Sequence, residues 1–323
     1  MKHVALEDFL APLAEYLAPE GVSEVSINRP GEAWIETYGE MKRATIADLD
    51  RNHLRMLCGL IAQSTAQELS EERPLVSGTL PGGYRVQLVL PPAAEDICLS
   101  IRKPSTLQYD LAGFAKMGGF EETIASGEGR ADPVLAECYE ARDYRAFLCA
   151  AIRGRKNILI SGGTSTAKTS VLNACLREIP DPERIITVED AREVQVRQPN
   201  RVHLISSRGG QGQAQVTPQQ LIEACLRLRP DRIIMGELRG AEAFAFLRAV
   251  NTGHPGSIAT LHADTPEMAF EQLTLMVTQA DLGMTRAQIM DYVRHIIPIV
   301  VQLRRGEKGK RFVSEIYYRG SAS

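Results

Sequence analysis

The chain has 323 residues, of which 44% are hydrophobic and 24% charged, a balance typical of a globular protein that buries a substantial core. Its net charge of -3 excludes the strongly basic character of many nucleic-acid-binding proteins. The six cysteines are dispersed, without the spacing of a zinc site or a CxxC pair, and no apolar run is long enough to cross a bilayer.

The first 104 residues are predicted to form a small α+β domain, because short alternating segments are mixed with helical spacing. Apolar periodicity predicts helices over 7–17 and 46–67. Alternation and intervening turn residues predict strands over 22–27, 33–37, 75–80, 85–90 and 97–102. Lys103 and Pro104 end this region and are the predicted domain boundary.

Residues 105–323 are predicted to form a larger α/β domain with a parallel sheet. Two helices are expected first, over 111–117 and 134–153. Strands are then expected over 157–161, 184–188, 201–206, 232–236 and 257–261, alternating with helices over 168–178, 218–228, 240–251 and 265–278. A helical and strand extension completes the chain, with a final strand pair over 297–303 and 311–318.

The most informative stretch of this domain is ILISGGTSTAKTSVLNAC, which starts at Ile158. It combines a buried strand, a turn of small residues and a helix, the order found in a phosphate-binding P-loop. Small residues let backbone N–H groups close around phosphate oxygens, and the helix N-terminus adds positive charge. The candidate phosphate-binding residues are Gly162, Gly163, Thr164, Ser165, Thr166, Ala167, Lys168, Thr169 and Ser170.

Within this loop, Lys168 is expected to contact the β- and γ-phosphates, and the Thr169 hydroxyl to hold Mg²⁺. Ala167 departs from the usual pattern, which has glycine directly before the lysine. The alternative interpretation is a strand–turn–helix unit that contains a Gly-Gly turn and binds no nucleotide.

Two further predicted strands end in carboxylates, at the sheet edge where ligands bind in open α/β folds. The strand IITV is followed by Glu189 and Asp190, which would hold Mg²⁺ through water or orient an attacking water. The strand RIIM is followed by Gly236, Glu237 and Arg239; the acid would position Mg²⁺ or water, and the arginine would neutralise phosphate charge. The alternatives are a helix cap at Asp190 and a surface ion pair at Glu237.

Three other residues are candidates for contact with phosphate. His262 ends a strand of small residues and would hydrogen-bond the γ-phosphate or transmit its loss. Arg85 begins one strand of the first domain and Arg102 ends another; arginine binds phosphate through two parallel hydrogen bonds. A structural histidine and surface salt bridges are the alternative interpretations.

Four stretches occur in the order GGTSTAKTS, ITVEDAREV, RLRPDRIIMGELRG and TGHPGSIATLHA. This set resembles the type II/IV secretion traffic ATPases, in which the last three are the Asp box, Walker B and His box. INRPGEAWIE, GYRVQLVLPP and SIRKPS resemble the N-terminal domain of the VirB-type branch, so the resemblance covers nearly the whole chain.

The resemblance implies a RecA-like P-loop ATPase domain preceded by a smaller α+β domain, in a hexameric ring that hydrolyses ATP with Mg²⁺. It implies that Lys168, Thr169, Glu189, Glu237 and His262 form the catalytic and metal site. It also implies that Arg85 and Arg102 reach the phosphates from the N-terminal domain. Expected partners are other type IV secretion ATPases and inner-membrane components, with a cytoplasmic location peripheral to that membrane.

Other functions fit the sequence less well. A pilus-assembly ATPase would commonly carry a four-cysteine zinc insert, and this sequence has no such cluster of cysteines. Pilus-retraction ATPases lack a stretch like INRPGE, which this chain has in its N-terminal region. A nucleotide-binding ring scaffold with little hydrolysis is suggested only by Ala167. A DNA helicase is disfavoured by the net charge of -3 and by the lack of interleaved aromatic and basic residues, so direct nucleic-acid binding is not expected.

Overall fold

Two β-sheets organise the chain in a computed structural model that describes residues 2–104, 110–121, 123, 132–206 and 213–320. The first sheet has six strands and lies within the first 102 residues. The second has seven strands and begins at Ile158. This confirms the expected fold class of a larger α/β part preceded by a smaller α+β part. The predicted boundary after residue 104 lies next to residues outside the described ranges and stays a prediction.

The first sheet is antiparallel throughout, in the order β3-β2-β1-β6-β5-β4. Its strands are β1 (Val22–Ile27), β2 (Glu32–Thr37), β3 (Glu40–Thr45), β4 (Leu75–Thr79), β5 (Arg85–Val89) and β6 (Cys98–Arg102). Helices α1 (Lys2–Leu17) and α2 (Arg51–Ser64) cover one face through a shared apolar core. β3 was not predicted, because its residues are mostly exposed and show little apolar alternation.

The helix predicted over 46–67 is shorter than expected. It starts at Arg51, because the Asp50 carboxylate accepts a hydrogen bond from the backbone N–H of His53 at 2.7 Å. Such a cap satisfies a donor that the first helical turn leaves unpaired. Ile46 and Leu49 are buried before the helix begins, so their apolar spacing reflects loop packing and not a helical face.

The second sheet has the order β13-β12-β7-β11-β10-β8-β9 and is parallel except for its edge strand β13. Its strands are β7 (Ile158–Gly162), β8 (Ile185–Glu189), β9 (Arg201–Ile205), β10 (Arg232–Met235), β11 (Ile258–Leu261), β12 (Ile299–Arg305) and β13 (Arg311–Tyr318). The parallel register places the ends of β7, β8, β10 and β11 along one edge. That edge carries the motifs selected from the sequence.

Helices cover both faces of this sheet and give it two apolar cores. They are α4 (Pro133–Glu140), α5 (Tyr144–Arg153), α6 (Lys168–Leu176), α7 (Pro218–Cys225), α8 (Glu242–Asn251), α9 (Pro266–Thr278) and α10 (Arg286–Ile296). The short helix α3 (Leu111–Lys116) precedes them and has no buried residue. None of the described helices combines the length and apolar character that a bilayer span requires.

Among the helices of the second sheet, one prediction is wrong and one helix was not predicted. The single helix expected over 134–153 is divided into α4 and α5, because Arg142 adopts a left-handed backbone with φ 57° and Asp143 then caps α5. Helix α10 was missed, although Ile289, Val293 and Ile296 follow helical spacing and are buried.

Candidate functional site

The loop between β7 and α6 has a P-loop path with two residues in left-handed backbone, Ser165 at φ 59° and Ala167 at φ 73°. Left-handed backbone costs a residue with a β-carbon about 1–2 kcal/mol, which explains why glycine is usual at the position of Ala167. Gly162 has a different reason: a β-carbon there would lie 2.9 Å from the Leu303 carbonyl oxygen and closer still to Thr166. The loop therefore requires a small residue at Gly162 and holds Ala167 in left-handed backbone.

The side chains of Lys168 and His262 contact each other beside this loop. The Lys168 ammonium donates to the carbonyl oxygens of Gly162 at 2.9 Å and Gly163 at 3.1 Å, and lies 3.3 Å from Nδ1 of His262. His262 directly follows β11, and the parallel pairing of Leu261 with Ser161 places it beside the start of the loop. Burial lowers the pKa of Lys168 from its ordinary value, and the opposing charge of Glu237 limits the effect.

Glu237 forms the acidic side of the same site. Arg239 donates to both of its carboxylate oxygens, and His262 Nε2 lies 3.3 Å from one of them. Burial would raise the pKa of Glu237, but the hydrogen bonds and charge of Arg239, with His262 and Lys168, hold it below its ordinary value. Arg239 also lies 3.8 Å from the Asp190 carboxylate. The strand ends of β8 and β10 are therefore joined by one guanidinium group.

Glu189 is buried, and both oxygens of its carboxylate accept hydrogen bonds. One oxygen accepts the backbone N–H groups of Glu193 at 2.9 Å and Val194 at 2.7 Å, and the other accepts the Thr187 hydroxyl at 2.9 Å. Burial opposes ionisation, but the pKa of Glu189 is held below its ordinary value by His203 and these hydrogen bonds. This carboxylate therefore shapes the chain that follows β8, including Glu193.

Gly236, directly after β10, occupies a position with little room for a side chain. A β-carbon there would lie 3.2 Å from Cγ of Glu189, closer than most real contacts. The small residue thus leaves room for the buried carboxylate on the neighbouring strand. Glu237 remains as the acid that follows β10.

Two residues at the site were not selected from the sequence. The Glu193 carboxylate accepts the Thr169 hydroxyl at 3.2 Å, and Arg311 donates from Nε to the Ser165 carbonyl oxygen at 3.0 Å. Glu193 carries a local signal, as the third acid of the stretch EDARE. Arg311 carries none, because only the pairing of β12 with β7 brings the last hairpin to the loop.

These groups surround one cavity of about 650 Å³. The predicted site residues that line it are Thr164, Ser165, Thr166, Ala167, Lys168, Thr169, Ser170, Glu189, Glu237, Arg239 and His262. Asp190, Glu193 and Arg311 line it as well. Motifs separated by almost a hundred residues thus come together at the edge of the second sheet.

Arg85 and Arg102 lie elsewhere. They face each other across β5 and β6, and line a separate cavity of about 300 Å³ with Glu24, Arg227 and Arg229. The conformation of this chain does not place them in the cavity of the loop.

A P-loop on a mainly parallel sheet, with acids at neighbouring strand ends, defines a P-loop nucleotide hydrolase. Residues 130–313 match the family model described as type II/IV secretion system protein, and the chain belongs to that family of ATP-hydrolysing enzymes. The chain is 41% identical to the type IV secretion system protein VirB11 of Bartonella henselae over 326 residues, covering 96% of this chain and 91% of that protein. It is 35% identical to PtlH of Bordetella pertussis, covering 98% and 96%.

The likeness extends to three dimensions. The crystal structure of the VirB11 ATPase from the Brucella suis type IV secretion system, in complex with sulphate, superimposes with a TM-score of 0.91. The two chains are 34% identical, and 97% of each is covered. Both sheets of this chain therefore have counterparts in a solved secretion ATPase.

Proposed function

We propose that this chain is the ATPase of a type IV secretion system, and that it uses ATP hydrolysis to power substrate transfer or pilus assembly. The observation that carries the proposal is the single cavity that gathers Lys168, Thr169, Glu237 and His262. Likeness over nearly the full length to VirB11 and PtlH proteins supports the assignment to secretion. Glu189 and Glu237 both line this cavity, and the presence of these two acids favours hydrolysis over the alternative of a nucleotide-binding scaffold.

Each residue has a role that follows from its position. Lys168 would exchange its contacts with the loop carbonyls for the β- and γ-phosphates, and the backbone N–H groups of the loop would surround them. Glu237, ionised and beside His262, would accept a hydrogen bond from the attacking water. His262 contacts both Lys168 and Glu237, so loss of the γ-phosphate would alter its hydrogen bonds.

The site fits Mg²⁺. Thr169 offers a hydroxyl, and the Glu193 carboxylate lies 3.2 Å from it. Among the residues that the structure describes, no three His, Cys, Asp or Glu side chains form a metal-binding group. This suits an ion that keeps several waters and takes one or two protein ligands besides phosphate. Thr169 would hold Mg²⁺ directly, with Glu237 and Glu189 acting through water, and the ion would neutralise phosphate charge.

The assembly is part of the proposal. We expect a homo-hexameric ring at the cytoplasmic side of the inner membrane, in contact with other secretion ATPases and membrane components, without direct binding of nucleic acid. Arg85 and Arg102 lie outside the cavity of the loop in this chain. Contact with nucleotide phosphates would therefore require a movement of the first sheet or a site on a neighbouring subunit.

ATPase activity measured across a size-exclusion profile tests turnover and assembly together. The proposal expects Mg²⁺-dependent ATP hydrolysis in fractions with the mass of a hexamer. In cells that carry the secretion system, a Lys168→Ala replacement in the native gene should abolish substrate transfer, whereas Lys42→Ala, at an exposed side chain of β3, should leave transfer intact. Normal transfer by the Lys168→Ala strain would refute a role in powering secretion.

A further inference from the structure

The hairpin of β12 and β13 carries a concentration of positive charge beside the phosphate-binding loop. Its sequence over 304–311, RRGEKGKR, contains five basic residues and one acidic residue. β12 lies parallel to β7, and Leu303 pairs with Gly162, the last residue of β7. The strands of the hairpin continue beyond this pair, so its turn extends past the sheet edge on the side where the loop begins.

Arg311 is the residue of this hairpin that contacts the loop. Its Nε donates to the Ser165 carbonyl oxygen at 3.0 Å, and its side chain lines the same cavity as Lys168 and Thr169. Within the part of the chain that the structure describes, no carboxylate pairs with Arg311, and its two Nη groups donate no hydrogen bond to protein. A guanidinium has five N–H donors, so four remain for a ligand.

The surroundings of Arg311 leave its charge uncompensated. Arg305 lies directly opposite it in the antiparallel pair, an arrangement of like charges that destabilises a sheet. An anion in the cavity would offset this repulsion. The oxygens of a phosphate match the planar fork of arginine, which can donate two parallel hydrogen bonds to them.

We propose that Arg311 binds the phosphate chain of the nucleotide. Its Nε keeps the Ser165 carbonyl oxygen turned to the hairpin, and its Nη groups donate to phosphate oxygens, so that the last hairpin forms one wall of the nucleotide site. This assignment rests on the proposed nucleotide-binding function and adds a contact from outside the four motifs. It predicts that Arg311 contributes to ground-state binding more than to the chemical step.

Equilibrium binding of MgADP to the full-length chain tests the proposal, with Arg311→Ala compared against Arg305→Ala. The two variants lose the same charge from opposite positions of the hairpin. Arg311→Ala should weaken MgADP binding about tenfold or more, the effect expected for a lost charged hydrogen bond. The KM for ATP should rise similarly while kcat changes less than about twofold, because the contact is made equally to substrate and transition state. Arg311→Lys should recover part of the affinity.

Three results would overturn the proposal: unchanged MgADP affinity in Arg311→Ala, an equal loss in Arg305→Ala, or a fall in kcat without a change in affinity. The second would mean that only the general charge of the hairpin matters. Thermal unfolding without nucleotide should be nearly the same for both variants, because both side chains are exposed. A wild-type chain that binds MgADP but does not support secretion would refute the proposed function and leave the role of Arg311 intact.

Discussion

At the scale of single residues, the site is a balance of opposite charges at the ends of four strands. Lys168 and Arg239 flank Glu237, and His262 contacts both the lysine and the acid. In a half-buried cavity these charges interact more strongly than they would in water. The acid therefore stays ionised at neutral pH, the state needed to orient a water molecule.

Glu237→Gln should lower kcat for ATP hydrolysis by about 100-fold or more, because the amide accepts a proton far less readily than a carboxylate of the same shape. Binding of MgADP should change much less, since Lys168 and the loop remain. Steady-state kinetics and equilibrium binding separate the two effects. Wild-type kcat in this variant would assign the general base to another group.

A second prediction at the scale of single residues concerns the backbone of Ala167. Ala167→Gly should not destabilise the fold and should stabilise it by up to about 1 kcal/mol, because glycine adopts left-handed backbone without strain. Ala174→Gly, at an exposed position inside α6, is the matched control and should cost about 1 kcal/mol. Chemical denaturation measures both. Equal losses in the two variants would contradict the backbone account of Ala167.

Sequence patterns predict those parts of the site that are local. The P-loop and the acid that follows β10 are recognisable because strand, turn and ligand are consecutive in the chain. Glu193 and Arg311 depend on how the chain after β8 folds back and on the register of β12 beside β7. Tertiary packing determines the positions of Glu193 and Arg311 at the site, and no local sequence pattern predicts them.

At the scale of elements, the strands were the most predictable feature and the helix limits the least. The strands of the parallel sheet are buried on both faces and appear as continuous apolar runs. Helix ends depend on single capping side chains, such as Asp50 and Asp143, which start a helix at a residue that the apolar periodicity does not indicate. The edge strand β3 was not predicted, because its mostly exposed residues do not show the apolar alternation by which strands are recognised.

Helix α10 offers a test of such end effects. Thr285 and Gln288 form a reciprocal capping box at its start. Thr285→Ala should lower the free energy of unfolding by about 1 kcal/mol, because the backbone N–H of Gln288 loses the hydroxyl oxygen that accepts its hydrogen bond. Thr285→Ser keeps the hydroxyl and should be nearly neutral. A similar loss in both variants would show that the methyl group, not the cap, stabilises the helix.

At the scale of the whole molecule, the two sheets are joined by polar contacts as well as apolar packing. Residues 93–95 bond to β9 through two backbone hydrogen bonds, Glu95 N–H to His203 and Ile205 N–H to Ala93. The buried Arg184 donates to the side-chain oxygens of Asn28 and Asn200, one from each part of the chain. Any movement that carried Arg85 and Arg102 to the nucleotide would have to break such contacts.

Arg184→Ala should therefore destabilise the chain by about 3 kcal/mol or more, because it leaves buried oxygens without a donor and opens a cavity. Burial lowers the pKa of Arg184 to about 10, so the guanidinium remains charged at neutral pH. Arg177→Ala, at an exposed position after α6, should have little effect. Equal unfolding curves for the two variants would show that the buried junction contributes nothing.

We infer that the loop and the strand-end acids form one site that hydrolyses ATP. The most direct measurement is steady-state ATP turnover by the purified chain with Mg²⁺, comparing the unaltered protein with Lys168→Ala and with the surface control Lys42→Ala. We predict that the unaltered chain and the control hydrolyse ATP at similar rates and that Lys168→Ala does not. No turnover by the unaltered chain, or equal turnover by Lys168→Ala, would contradict the assignment of this site.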